Sequence, residues 1–81
     1  MKLIDVRSKE EYESGHLKDA VNIAVEDMAS GILPDFPKDT PILTYCNFGG
    51  RAGRAKTILE SAGFTNVENG GGYRELKVKG Y

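Results

Sequence analysis

The chain carries one cysteine, one histidine and little net charge. A single cysteine excludes an intramolecular disulfide, and one histidine beside it leaves too few soft ligands for a structural zinc site. No apolar run approaches the roughly 20 residues needed to cross a bilayer. The 11 basic and 12 acidic residues are interspersed and leave a net charge of −1, which argues against a nucleic-acid or membrane-surface partner. At 81 residues the chain is expected to form one domain, spanning 1–81, near the size at which a single core is only marginally stabilising.

What is present is organised around residues 41–63. Ile42 to Tyr45 read as a buried strand and Cys46 to Gly50 as a tight loop. Ala52, Ala55, Ile58, Leu59 and Ala62 recur at three- and four-residue steps, the pattern of an amphipathic helix. The only cysteine therefore sits where a strand hands over to a helix. There the free N–H groups of the loop and the positive end of the helix dipole favour thiolate over thiol. Arg51 and Arg54 add positive charge nearby. Gly49 and Gly50 give the loop the freedom for a close approach to a ligand. An arginine at a helix start opposes the dipole unless it answers an anion. The competing reading of Cys46 is a small buried hydrophobe; the glycines and Arg51 favour a reactive thiol beside an anion-binding loop.

The remaining segments alternate strand and helix. Lys2 to Val6 is a strand with Asp5 and Arg7 at its end, best read as a structural ion pair. Ser8 to Glu11 is a capping box that opens a short helix, with Tyr12 inward and Gly15 closing it. His16 could suggest a Cys/His pair, but no orienting partner is evident, and a hydrogen-bonded structural histidine is expected. Ala20 to Ala24 reads as a short strand, and Val25 to Ile32 as one or two helical turns with Met28 and Ile32 inward. Leu33 to Thr40 is a loop fixed by prolines, and Pro41 marks the edge of the central strand. Thr65 to Glu68 is a last strand, Asn69 to Gly72 a flexible turn at the same end as Cys46, and Tyr73 to Val78 a closing helical turn with Tyr73 and Leu76 inward. The order predicts an α/β fold: a small parallel sheet of about four or five strands flanked by helices, with right-handed crossovers. Ligands in such sheets bind beyond the carboxyl ends of the strands, where Cys46 lies.

Several blocks together resemble the single-domain rhodaneses, the thiosulfate sulfurtransferases, and in particular their short exported bacterial members. They are Leu3 to Arg7, Glu11-Tyr12 with Gly15-His16-Leu17, Ala20 to Ile23, Tyr45-Cys46 to Arg51-Ala52, and Ala62 to Val67 with Gly71-Gly72. Lys18-Asp19 stands where that family often has Pro-Gly, Ala24 where it often has proline, and the tail lacks the family's usual tryptophan.

The resemblance implies that the Cys46 thiolate takes the outer sulfur of thiosulfate, releases sulfite and passes the persulfide sulfur to cyanide or a thiol acceptor. The N–H groups of Asn47, Phe48, Gly49, Gly50 and Arg51 would bind the substrate, with Arg51 holding the charge of the departing sulfite. No cofactor and no metal are implied, and a monomer is expected. Export with a removed leader is favoured over a cytoplasmic location. Two alternatives belong to other classes. Many rhodanese-like domains are non-enzymatic interaction modules, but those usually lack the cysteine. Cell-cycle dual-specificity phosphatases resemble the same fold, yet place five residues between cysteine and arginine, where this chain has Asn47, Phe48, Gly49 and Gly50.

Overall fold

Side-chain alternation along one strand sets the architecture in the computed structural model, which describes residues 1–81. Strand β3 (Ile42–Cys46) is buried along its whole length. Its successive side chains pass to opposite faces, Ile42 and Cys46 into one core and Leu43 and Tyr45 into the other. A strand apolar on both faces must be central to a covered sheet. Accordingly β3 lies between β1 (Lys2–Asp5) and β4 (Val67–Gly72), and β2 (Val21–Asn22) pairs with the far side of β1. The order is β2-β1-β3-β4 and every pairing is parallel, as the alternation of elements predicts.

Helices α1 (Lys9–Glu13) and α4 (Tyr73–Val78) serve one core, with Leu17, Tyr45 and Leu76 at its centre. Helices α2 (Val25–Ala29) and α3 (Gly50–Ser61) serve the other, built on Ile4, Val25, Met28, Ile42 and Leu59. Fully burying a side chain such as Leu59 contributes about 1.5–3 kcal/mol. The chain leaves β1 towards β2, then returns across β1 to enter β3. The strand order therefore reverses beside the carboxyl ends of β1 and β3, and a crevice opens there.

Three expectations need correction. The last strand, expected over Thr65 to Glu68, starts at Val67, and Asn69 to Gly72 is not a flexible turn but its last four residues, with Asn69 opposite Thr44, Gly72 opposite Cys46 and a bulge between. The glycines serve close packing: a Cβ on Gly70 would lie 2.8 Å from the Leu43 side chain and 2.9 Å from the Thr44 carbonyl oxygen. Ile32 points outward and is 55 % exposed, because α2 ends at Ala29 and Gly31, at φ 109°, swings the chain away from the core. The strand expected over Ala20 to Ala24 is reduced to Val21–Asn22, since the Ala20 N–H turns back to the Leu17 carbonyl and the Val25 N–H reaches the Val6 carbonyl.

Candidate active site

Cys46 ends β3 and faces the core beneath α3, only 2 % exposed. Gly49, at φ 95°, turns the loop so that its N–H donates to the Cys46 sulfur at 3.0 Å, and the Ala52 N–H donates at 3.4 Å from the first turn of α3. Burial pushes the thiol up. The N–H groups of Ala52, Phe48, Gly49 and Arg51 more than offset it, and the thiol lies below its ordinary value. The strand, loop and helix thus converge on a thiol whose proton is held less tightly than usual.

The loop is pinned from β4. Asn69 donates from Nδ2 to the Gly49 carbonyl at 3.0 Å while its Oδ1 accepts the Gly71 N–H at 2.9 Å. A Cβ on Gly72 would overlap the Asn47 carbonyl oxygen, so the strand approaches the loop only because it is bare there. Beneath the loop, the Thr44 hydroxyl donates to the Ala52 carbonyl at 2.9 Å and ties α3 to β3.

A second set of ties comes from α1 and β1. Glu11 closes the expected capping box with Ser8, and its carboxylate also accepts both Nη groups of Arg51, at 2.7 and 3.1 Å, and Nδ2 of Asn47 at 2.8 Å. Arg51, together with the Ser8 donors, holds the Glu11 carboxyl down to about 2. The anion that Arg51 answers is therefore one of the chain's own side chains. Arg7 forms the expected ion pair with Asp5, at 2.7 Å and buried, and also donates to the Gly15 carbonyl at 2.7 Å. Its remaining Nη1 reaches Oδ1 of Asn47 at 3.3 Å, which links β1 to the cysteine loop. Asn47 thus bridges Arg7 and Glu11.

His16 stands apart as expected, stacked on Tyr12 at 3.7 Å between ring centroids, with Nδ1 at 2.9 Å from the Tyr12 carbonyl. Arg54 is exposed and makes no hydrogen bond or ion pair. Phe48 projects from the loop tip, 94 % exposed. A cavity of about 490 Å³ opens beside it, lined by Arg7, Asn47, Phe48, Tyr73 and Arg74. No three His, Cys, Asp or Glu side chains converge as a metal-binding group. Glu11, Arg7 and Arg74 were not named as site residues from the sequence. The one signal for Glu11 was Arg51 itself, a cation at a helix start that requires an anion.

Comparison with known proteins agrees with this geometry. Residues 1–78 match the model of the Rhodanese-like domain. The chain is similar to the thiosulfate sulfurtransferase PspE of Escherichia coli (strain K12), with 41 % identity over 81 residues covering 95 % of this chain and 78 % of that protein. Among solved structures, a rhodanese with anions from E. coli aligns with a TM-score of 0.77 and 38 % identity, covering 91 % of this chain and 88 % of that one. The human single-domain sulfurtransferase TSTD1 aligns with a TM-score of 0.85 and 29 % identity, covering 99 % and 83 %.

Proposed function

The chain belongs to the rhodanese-like family and is a sulfurtransferase, and from that premise we propose that it moves the sulfane sulfur of thiosulfate to cyanide or a thiol through a persulfide on Cys46. The observation that carries this reading is the Cys46 sulfur at the strand-to-helix junction, accepting the N–H groups of Gly49 and Ala52. A sulfur that accepts converging N–H groups and loses its proton more readily than an ordinary thiol is suited to act as a nucleophile in an anion cradle.

In the first step the Cys46 sulfur attacks the outer sulfur of thiosulfate. The S–S bond of the donor breaks, its electron pair leaves with sulfite, and Cys46 keeps the outer sulfur as a persulfide. In the second step cyanide or a thiolate attacks that outer sulfur and the electron pair returns to Cys46. The N–H groups of Asn47, Phe48, Gly49, Gly50 and Arg51 cradle the donor and the persulfide anion. Arg51, with its Nη groups on Glu11, contributes its charge to the departing sulfite.

Loop length separates this reading from a phosphatase. Four residues between Cys46 and Arg51 make a small cradle, suited to one terminal sulfur atom more than to the equatorial oxygens of a phosphoryl group. Thiosulfate:cyanide sulfur transfer and aryl phosphate hydrolysis, assayed on one preparation with Cys46→Ser as the blank, test the proposal. Cys46-dependent sulfur transfer with negligible phosphate hydrolysis is expected; hydrolysis exceeding sulfur transfer would replace the sulfurtransferase reading.

A further inference from the structure

The Gly49 N–H reaches the Cys46 sulfur at 3.0 Å from a residue at φ 95° that has no Cβ to restrict its rotation. Its direction is held through its carbonyl. That oxygen accepts the Gly53 N–H at 2.9 Å, the first backbone bond of α3, and also Nδ2 of Asn69 at 3.0 Å. The Asn69 carboxamide is aimed in turn by the Gly71 N–H, which donates to its Oδ1 at 2.9 Å. A second observation comes from α3. Gly53 lies inside that helix, where alanine is the better helix former. Yet a Cβ on Gly53 would lie 3.2 Å from Asn69 Nδ2, and that nitrogen is the one neighbour it would meet beyond the helix's own backbone. The bare spot on α3 is therefore matched to the Asn69 amide.

We propose that Asn69 is a positioning residue of the sulfur site: by holding the Gly49 carbonyl it keeps the Gly49 N–H directed at Cys46 and so eases loss of the thiol proton. Asn69 makes no hydrogen bond to Cys46 and acts through Gly49. The position requires a carboxamide, because one end donates to a carbonyl while the other accepts an N–H. The charged groups around the sulfur are held elsewhere. Arg51 on α3 pairs with Glu11 on α1 and feels Glu26 on α2, Arg7 pairs with Asp5 at the end of β1, and Glu75 on α4 accepts the Gly72 N–H at 3.2 Å. None of them bonds to Asn69, so a change there reaches the sulfur through the loop backbone.

The test is a pH titration of Cys46 followed by the ultraviolet absorbance of its thiolate, with Cys46→Ser as the blank. In Asn69→Ala the midpoint should rise, so that at a pH well below it the thiolate fraction falls about threefold, the size of one exposed hydrogen bond. Asn69→Asp still accepts the Gly71 N–H but turns an oxygen towards the Gly49 carbonyl. Its midpoint should rise at least as far, and at high salt, with its charge screened, still as far as that of Asn69→Ala. Gly53→Ala, which crowds the amide from α3, should raise the midpoint alone and add nothing when combined with Asn69→Ala. An unchanged midpoint in Asn69→Ala with native circular dichroism, or a native midpoint in Asn69→Asp at high salt, would overturn the proposal and leave Asn69 a tie for the β4 bulge. An equal rise from Gly53→Ala with and without Asn69 would overturn it too. If Asn69→Ala does not fold, Asn69→Asp and Gly53→Ala decide. The bearing on sulfur transfer rests on the sulfurtransferase reading: below the midpoint, kcat/KM for thiosulfate should fall with the thiolate fraction. Failure of that reading is distinct, since the native chain would then show no Cys46-dependent transfer while the titrations, which need no substrate, keep their differences.

Discussion

The carboxylate of Glu11 grips both Nη groups of Arg51, at 2.7 and 3.1 Å, across 40 residues of sequence. One side chain thus completes a helix cap and anchors the cation of the cysteine loop. Its carboxyl, held down to about 2 and so well below the ordinary carboxylate range, makes a stabilising contribution that is complete above that ordinary range and is lost as pH falls towards 2. Glu11→Gln keeps a residue that can close a capping box but removes the charge. At neutral pH the variant should lose at most about 1 kcal/mol, because the pair is partly exposed. Urea unfolding at pH 7 and at pH 3 checks this: the native chain should lose more stability between the two than Glu11→Gln. Equal losses would contradict the role given to Glu11.

Lowered proton affinity at Cys46 predicts its reactivity. The rate of alkylation by iodoacetamide should rise with pH to a midpoint below that of an ordinary thiol. Gly49→Ala, forced to φ 95° with a side chain, should cost about 1–2 kcal/mol of stability and move that midpoint upward as the N–H donor shifts. A midpoint at or above the ordinary thiol value in the native chain would contradict the lowered proton affinity.

Gly72 lets β4 reach the loop because it carries no Cβ. Gly72→Ala should push the Asn47 carbonyl away, destabilise the chain by about 1–3 kcal/mol and depress sulfur transfer beyond what the loss of folded protein explains. Activity per folded molecule, from assays paired with circular dichroism, is the measurement. Native-like activity at native-like stability would show that the contact is not needed.

Asp19 is the chain's one non-glycine residue at positive φ, 65°, and it stands where the resemblance expects glycine. Asp19→Gly relieves the left-handed strain, partly offset by the greater freedom of glycine in the unfolded chain. A gain of about 0.5–1 kcal/mol in urea unfolding is expected, with sulfur transfer unaltered. A loss of stability would contradict the strain argument.

The parts of this design that were legible in the sequence are those written in local patterns. Ile42 to Cys46 followed by helical spacing from Ala52 to Leu59 specified strand, loop and helix, because side-chain periods of 2 and 3.6 are properties of neighbouring residues. The capping box at Ser8 and Glu11 was visible for the same reason. What escaped depends on contacts between distant segments. Nothing local shows that Glu11 meets Arg51, or that Arg7 reaches Asn47 after satisfying Asp5. The glycines after Asn69 looked like a turn because glycine usually signals one. Here they mark a strand pressed against its neighbour, and only the positions of Leu43 and Asn47 in space distinguish the two. Ile32 looked like a core residue by spacing, but a helix that stops at Ala29 cannot carry the period that far.

Transfer through this site requires a sulfur atom carried on Cys46. Incubation with thiosulfate, removal of excess donor and intact-mass spectrometry test it most directly, with Cys46→Ser treated in parallel. The native chain should gain the mass of one sulfur atom, cyanide should remove it, and the serine variant should gain nothing. An unchanged native mass, or the same adduct on Cys46→Ser, would contradict it.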